Sequence, residues 1–278
     1  MVHEQHEHIF RKGSKTYYFS SRFFPKSVRE DVFTLYGFVR TADDLVDEHP
    51  VDPARFYAFR EKYTKSLATG EQSGDLIIDS FLELQKRKGF DPAWTEAFLD
   101  SMQQDLVKST CDTLEETLTY IYGSAEVIGL FMAKIMDLPK ASYPAAAMLG
   151  RAMQYINFIR DIEEDNGLKR RYLPLTGTTL KGLDSTSVHA DPEEFKRFVR
   201  KELELYRSWQ SEAAKWYHHI PRRYRIPIMT AADMYCWTAR VIQKNPCIVF
   251  TKQIKPTKTR IIRKGIAHLL GIAQGCGK

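Results

Sequence analysis

The sequence has few cysteines, glycines and prolines, and it lacks long apolar runs. Its four cysteines include no CxxC pair, a pattern that argues against a zinc site or a disulfide framework and favours a cytoplasmic protein. Fifteen glycines and twelve prolines punctuate 278 residues without saturating them, and no repeat of solenoid length occurs. No apolar run reaches the length of a bilayer span, and the charged N-terminus lacks a signal-peptide core. These absences favour an ordinary globular chain.

The composition supplies a core and a positive charge. The chain is 43% hydrophobic and 12% aromatic, which is enough to bury a sizeable interior. Its net charge of +6 suggests an anionic partner. No nucleic-acid-binding motif accompanies the basic residues, so anionic lipid and phosphorylated substrates remain as partners. We expect one domain over residues 1–278, with residues 1–9 frayed and a basic C-terminal tail at 255–278.

The hydrophobic pattern has a helical period nearly throughout, and strand signals are weak. Prolines and glycines separate the periodic segments, as they do at helix starts and ends. Residues 168–192 are rich in Gly, Thr and Pro and are predicted to form a loop. The sequence therefore predicts an all-α single domain with helices near residues 25–47, 53 onward, 75–88, 91 onward, 113–122, 125–136, 144–165, 191–219 and 228–245.

Two acidic clusters are the most informative feature of the chain. They read Asp43-Asp44-Leu45-Val46-Asp47 and Asp161-Ile162-Glu163-Glu164-Asp165, and each places carboxylates four positions apart. On a helix this spacing stacks like charges one turn apart, which costs a few tenths of a kcal/mol per pair unless they are neutralised. A hard divalent cation such as Mg²⁺ takes oxygen ligands and keeps open positions for substrate phosphates. The clusters therefore point towards diphosphate chemistry.

Each cluster continues a longer stripe of chemically active side chains. Tyr36 and Arg40 precede the first cluster at helical spacing, and Asn157 precedes Asp161 by four. The neighbours of Asp161 are too apolar for an ordinary solvated face, so its carboxylate should be paired or coordinating. The alternative interpretation is that both clusters are solvated helix ends, which are common in proteins.

The residues around the clusters resemble the squalene/phytoene synthase family. The resemblance rests on three segments in the family's order. They are Ser14-Lys15-Thr16-Tyr17-Tyr18 followed by Leu35 to Asp47, the run Gln154 to Asp165 that matches the second aspartate-rich motif, and Arg171-Tyr172-Leu173-Pro174, which fits an R-x-Y-[LF]-P-type element. The likeness covers most of the chain.

The resemblance implies an isoprenoid synthase-type helical bundle around a central apolar cavity. Members of this family join two prenyl diphosphates head to head (1'-1) through a cyclopropyl diphosphate, with release of diphosphate. By resemblance, Mg²⁺, with Mn²⁺ as the alternative, would be held by Asp43, Asp47, Asn157, Asp161 and Asp165. Asp44 points off the stripe and is a weaker candidate.

Further roles follow from the same resemblance. Tyrosines near the reacting carbons of the family match Tyr36, Tyr120 and Tyr235. Residues that contact the substrate diphosphates match Ser14, Thr16, Arg40, Asn157, Lys252 and Arg260. Mg²⁺ and arginine would stabilise the departing diphosphate, and a dry aromatic pocket would protect the carbocation from water.

Two departures from the family pattern affect the substrate prediction. The segment Ser124-Ala125-Glu126-Val127-Ile128-Gly129 has Glu126 where the family commonly has glycine. This side chain either reshapes the cavity wall or points its carboxylate elsewhere. We also find no extended C-terminal region of the eukaryotic squalene synthase type, so NADPH is not expected.

The favoured reaction is therefore the condensation of two geranylgeranyl diphosphates to phytoene. The alternatives are a squalene or dehydrosqualene synthase using farnesyl diphosphate, a cyclase acting on one prenyl diphosphate, and a non-catalytic lipid-binding or partner subunit on the same fold. Cavity length separates the first two, and the sequence does not measure it.

The C-terminal tail leaves two arrangements open. It mixes Ile261, Ile262, Ile266, Leu269, Leu270 and Ile272 with Lys258, Arg260, Arg263 and Lys264. Such a helix can lie on a membrane surface as a peripheral anchor on the cytoplasmic face. It can equally dock on the core with its basic face in water.

Overall fold

The computed structural model describes residues 2–48 and 50–273, and this part of the chain is an all-α bundle. It contains no β-strand, only an isolated parallel bridge between Thr110 and Arg171. The all-α prediction is confirmed. The α-helices are α1 Val2–Gly13, α2 Lys15–Ser21, α3 Lys26–Asp47, α4 Pro53–Thr69, α5 Leu76–Lys88, α6 Pro92–Val107, α7 Leu114–Ile121, α8 Val127–Ile135, α9 Tyr143–Arg160, α10 Ile162–Gly167, α11 Ser185–Ala190, α12 Pro192–Ala214, α13 Arg222–Lys244 and α14 Lys258–Leu270.

Helix α3 is held by an aromatic core on one face. Phe38 stacks on Phe81 of α5 with ring centroids 3.9 Å apart, and it lies 5.3 Å from Phe59 of α4. Buried aromatic pairs of this kind stabilise a fold beyond the area they bury. Because this face points inward, the acidic stripe of α3 lies on the opposite side of the helix.

Helix α9, which leads into the second cluster, packs tightly against its neighbours. A Cβ at Gly150 would lie 2.3 Å from the carbonyl oxygen of Ala125, so the backbones touch here. Ala125 belongs to a π-helix, Tyr122–Glu126, that joins α7 to α8. A π-helical turn inside a helix often marks a functional site. Asp161 lies between α9 and α10 with φ −99° and ψ 17°, so the chain bends slightly at the second cluster.

The N-terminus differs from the prediction. Residues 2–9 are not frayed but belong to α1, which packs along α3. Phe10 is 1% exposed and stacks on Tyr36 at 4.0 Å. The sequence signal was weak because charged residues outnumber the apolar ones in α1.

Two boundaries also differ. Helix α13 begins at Arg222, before the predicted start at residue 228, so Pro227 lies inside the helix. Pro227 is in the second turn, where its ring costs one backbone hydrogen bond, and the burial of Tyr224, Ile226 and Pro227 favours the helix nonetheless. The predicted loop at 168–192 contains the short helix α11, which Asp184 caps through the backbone N–H of Ser187.

The C-terminal helix α14 docks on α13 and α2. Its inner face buries Ile261, Gly265 and His268, and His268 Nε2 lies 2.8 Å from Asp233 Oδ2 of α13. Among the described residues, no helix combines the length and apolarity that crossing a membrane requires.

Candidate active site

The first acidic cluster ends α3 and is held by an arginine of its own helix. Arg40 Nη1 donates to Asp43 Oδ2 at 2.7 Å, and its Nη2 lies 2.5 Å from Asp44 Oδ1. Burial and the neighbouring Asp47 raise the pKa of Asp43 to about 7. Arg40 thus contacts Asp44 as well as Asp43, although the helical stripe favoured Asp43 alone.

The second cluster spans the junction of α9 and α10. Arg160 Nε donates to Asp161 Oδ1 at 2.7 Å, and its Nη2 bonds Asp161 Oδ2. Burial and the carboxylates of Asp161 and Glu164 raise the pKa of Asp165 well above its usual range. The amide oxygen of Asn157 is buried and accepts no hydrogen bond from any described residue. This end of α9 therefore holds an unused acceptor and crowded negative charge.

Arg170 joins the two clusters. Its guanidinium bonds the carboxylate of Asp47 and donates to the carbonyl oxygen of Val46 at 2.9 Å, both at the end of α3. Its own backbone N–H donates to the carbonyl oxygen of Asp165 at 2.8 Å. The Arg170 side chain is 9% exposed. One buried cation thus ties the segment after the second cluster to the end of the first.

Asp105 of α6 lies beside Arg170 and accepts hydrogen bonds from two tyrosines. Tyr120 donates to Asp105 Oδ2 at 2.6 Å, and Tyr172 donates to Asp105 Oδ1 at 2.8 Å. Arg170 Nη1 is 4.0 Å from Asp105 Oδ2. Burial raises the pKa of Asp105 to about 6, with Arg170 and both tyrosines acting in the opposite direction. Asp105 therefore sits where both clusters and two aromatic hydroxyls meet.

The other predicted tyrosines lie on the neighbouring helices. Tyr235 of α13 donates to the hydroxyl of Tyr17 at 2.8 Å, and Tyr17 donates to Met153 Sδ of α9 at 3.6 Å. Burial raises the pKa values of Tyr36 and Tyr235, which keeps both phenols neutral. Aromatic faces and neutral hydroxyls suit a pocket that must tolerate a carbocation.

The remaining predicted diphosphate contacts are more dispersed. Ser14 accepts a hydrogen bond from the backbone N–H of Tyr17 at 3.3 Å and so caps α2 next to Thr16. Lys252 is exposed beside Gln253, whose side chain reaches Glu164 at 3.4 Å. Arg260 lies over the ring of Trp237 at 4.7 Å. The structure thus places Lys252 next to a residue that reaches the second cluster, and Arg260 on α14 over Trp237 of α13.

Glu126 does not project freely from the wall of the bundle. Its Oε1 accepts from Arg151 Nε at 2.6 Å, and the guanidinium of Arg151 lies 5.5 Å from the ring of Trp209. Glu126 is 6% exposed. Of the two expectations for this residue, the structure supports a carboxylate directed elsewhere, namely to an ion pair with α9.

The donor set fits a hard divalent cation in kind. Aspartate carboxylates and the unused amide oxygen of Asn157 are the ligands that such ions prefer. In the described residues, no three His, Cys, Asp or Glu side chains are close enough to chelate one ion in the present arrangement. Arg40, Arg160 and Arg170 occupy the carboxylates instead.

Comparison with known proteins identifies the family. The family model described as squalene/phytoene synthase matches residues 10–260. The chain belongs to the squalene/phytoene synthase family. This synthase is 28% identical to the 15-cis-phytoene synthase of Pantoea ananas over 237 residues, which is 80% of this chain and 76% of that protein. It is 28% identical to the phytoene synthase of Rhodobacter capsulatus, over 91% of this chain and 76% of that protein.

Solved structures support the same fold. A dehydrosqualene synthase with bound ligand matches with a TM-score of 0.78 at 19% identity and covers 97% of both chains. The squalene synthase HpnC of Alicyclobacillus acidocaldarius matches with a TM-score of 0.77 at 20% identity, covering 87% of this chain and 93% of that one. The synthase is a prenyltransferase that condenses prenyl diphosphates head to head. Its family uses a divalent metal ion to bind diphosphate.

Sequence reasoning missed four residues of this site: Tyr17, Asp105, Arg160 and Arg170. Arg170 carried a usable signal, since it stands two positions before Tyr172 in the R-x-Y pattern, where Arg171 was named instead. Arg171 donates to the carbonyl oxygens of Cys111 and Leu173 and so holds the backbone. Asp105 carried no sequence signal, because its hydrogen-bond partners are not close to it in the sequence.

Proposed function

We propose that this synthase condenses two molecules of geranylgeranyl diphosphate to phytoene, with release of two diphosphates and two protons. The two curated relatives described above, each 28% identical, are named phytoene synthases, which supports a C20 substrate. The observation that carries the catalytic part is the joining of the two acidic clusters through Arg170 and Asp105. Two diphosphates leave in this reaction, and two clusters are available to receive them.

We assign the metal ligands to Asp43, Asp47, Asn157, Asp161 and Asp165, and Mg²⁺ is the proposed ion. When bound, Mg²⁺ would supply Lewis-acid stabilisation of the departing diphosphate. Arg40, Arg160 and Arg170, which now neutralise the aspartates, have the planar guanidinium that binds phosphate oxygens in pairs. These arginines would therefore hold the diphosphate as its negative charge develops.

The tyrosines would guide the reacting carbons after the diphosphate departs. Tyr17, Tyr36, Tyr120 and Tyr235 present neutral hydroxyls and ring faces around one side of the clusters. Burial excludes the water that would otherwise capture the carbocation.

The test is product analysis with the purified protein. Mg²⁺ is added with either geranylgeranyl or farnesyl diphosphate, with and without NADPH, and the hydrocarbons are extracted. We expect phytoene from the C20 substrate, independent of NADPH. A C30 hydrocarbon from farnesyl diphosphate alone would overturn the substrate assignment in favour of a squalene or dehydrosqualene synthase. No C30 or C40 product from folded protein would refute the proposal.

The acidic clusters are tested in the same assay. Asp43→Ala and Asp161→Ala should abolish turnover while helicity is unchanged. Asp100→Asn is the matched control, because Asp100 is an exposed aspartate that pairs with Arg60. Wild-type activity in either Ala variant would contradict the metal assignment.

A further inference from the structure

Positive charge is concentrated in the last quarter of the chain. Residues 213–278 carry thirteen Lys and Arg but a single acidic residue, Asp233, whereas residues 1–212 have a net charge of −6. Asp233 is 4% exposed and is paired with Lys264 at 3.1 Å and His268 at 2.8 Å. The described surface formed by this part of the chain therefore presents basic side chains and no acidic one of its own.

The end of α14 exposes a group of large apolar side chains. Ile266 is 45% exposed, Leu269 49%, Leu270 64% and Ile272 72%. The opposite face of the same helix is fixed to the bundle by Ile261, Gly265 and His268. We call the exposed residues Ile266, Leu269, Leu270 and Ile272 the apolar tip. The tip is held by a docked helix, so it is displayed from a fixed position.

Basic side chains lie beside the apolar tip, and an exposed aromatic residue lies close to them in the sequence. Arg222, at the start of α13, donates to the carbonyl oxygen of Leu269 at 2.6 Å, which brings this end of α13 against the tip. Arg223 and Arg263 are exposed nearby in the sequence. Trp216 lies six residues before Arg222 and is 39% exposed. Large apolar side chains with an aromatic residue and a rim of arginines are typical of a surface that enters a lipid interface.

We propose that the apolar tip and its basic rim dock the synthase on an anionic bilayer. The apolar side chains would enter the headgroup boundary, while Arg222, Arg223 and Arg263 would face anionic headgroups. A second copy of this chain is a poorer occupant, because two such basic surfaces would repel each other.

The position of the surface relative to the site supports a lipid partner. Helix α14 runs from the tip to Arg260, which lies over Trp237, two residues from Tyr235 of the site. The proposed substrate has a long prenyl chain and the proposed product is a hydrocarbon, and both partition into membranes. In this respect the inference rests on the proposed function, although the docking itself needs neither substrate nor metal.

The experiment is vesicle flotation of the full chain without substrate or metal. The vesicles contain phosphatidylcholine alone or mixed with phosphatidylglycerol. Wild type should bind the anionic vesicles at least about tenfold more strongly, since each basic residue near such a surface contributes roughly 1 kcal/mol. High salt should weaken this binding, because it screens exposed charges.

Matched variants distinguish binding through the apolar tip from binding through any exposed apolar side chain. Leu270→Glu with Ile272→Glu should abolish flotation, whereas Leu67→Glu, on the exposed face of α4 at 37% exposure, should leave it unchanged. Turnover in detergent should be the same for all three proteins. If the wild-type protein makes no product but binds anionic vesicles, the proposed function is refuted and the docking proposal stands.

Three results would overturn the docking proposal. They are equal binding to neutral and anionic vesicles, unchanged flotation of the double variant, and no binding by wild type. If the double variant instead lowered the mass of the particle in solution, the tip would be an interface between copies of the chain.

Discussion

At the scale of single residues, Asp105 has the most to reveal about how the site works. It accepts hydrogen bonds from Tyr120 and Tyr172 and lies 4.0 Å from Arg170, so it positions groups from two separate segments of the chain. Asp105→Asn keeps the shape of the side chain but removes its charge and one acceptor oxygen. We expect kcat to fall by about 10²-fold, as misplacement by an ångström does elsewhere.

The measurement is steady-state kinetics with far-ultraviolet circular dichroism as the check on folding. A positioning role predicts that kcat falls more than KM changes, since binding groups remain in place. Asp100→Asn on the same helix is the control and should retain full activity, because Asp100 has an exposed side chain. If Asp105→Asn turned over as fast as the control, Asp105 would be a structural residue only.

A second residue-scale prediction concerns pH. The folded protein without metal holds Asp43 with a pKa of about 7 and Asp105 with one of about 6, whereas an unfolded aspartate titrates near 4. Between about pH 4 and pH 7 the folded state therefore binds more protons than the unfolded state, and the stability of the metal-free protein falls as pH rises.

Urea unfolding of the metal-free protein checks the sign. The midpoint should be higher near about pH 5.5 than near about pH 7.5, and Asp43→Asn should flatten the difference. A midpoint that rises over this window, or a pH dependence that the variant leaves unchanged, would show that Asp43 does not have the raised pKa we assign to it.

The site residues divide by how far apart their partners lie in the sequence. Arg40 with Asp43 and Arg160 with Asp161 are neighbours along the chain, and the acidic spacing alone indicated that their carboxylates needed a cation. Asp105 reaches partners 15 and 67 residues away. Asp105 is brought to Tyr120 and Tyr172 by the packing of α6 against α7 and by the bridge between Thr110 and Arg171. A periodic sequence pattern does not predict such contacts.

At the scale of elements, α9, which leads into the second cluster, packs directly on the π-helix that follows Tyr120. Gly150→Ala would place a Cβ 2.3 Å from the carbonyl oxygen of Ala125, so the two elements must separate. Overpacking of this kind costs about 1–3 kcal/mol, and we expect a comparable loss of unfolding free energy together with reduced turnover.

Gly167→Ala provides the control for this substitution. Gly167 ends α10, and a Cβ there meets no atom within 4 Å. Its unfolding free energy should stay the same or rise by up to about 1 kcal/mol, because alanine favours helix over glycine. Equal stability of the two variants in urea would rule out a tight contact at Gly150.

The helices were predictable where their ends carry chemical marks. Asp52-Pro53 and Asp91-Pro92 combine a capping carboxylate with a first-turn proline, and α4 and α6 begin there. The prediction failed where tertiary contacts override local signals. Helix α1 has a largely polar sequence but buries Phe10 against α3, and α13 includes Pro227 because its neighbours are buried.

At the scale of the whole molecule, the bundle separates two chemical tasks. The acidic clusters converge on Arg170 and Asp105 at one place, while α14, in the basic last quarter of the chain, packs on α2 and α13 and presents the apolar tip. In our account, the first region handles diphosphate and the second meets lipid. The sequence showed both sets of residues, but only the fold showed that α14 runs from the apolar tip to Arg260, which lies over Trp237 of α13.

The central claim is that the two joined clusters carry out one head-to-head condensation. Its most direct test counts the diphosphate released and the hydrocarbon formed by the purified synthase from geranylgeranyl diphosphate with Mg²⁺. The account predicts two diphosphates for each C40 hydrocarbon, and neither product from Asp43→Ala or Asp161→Ala. One diphosphate for each C20 product would contradict it, because that ratio belongs to a reaction of a single prenyl diphosphate.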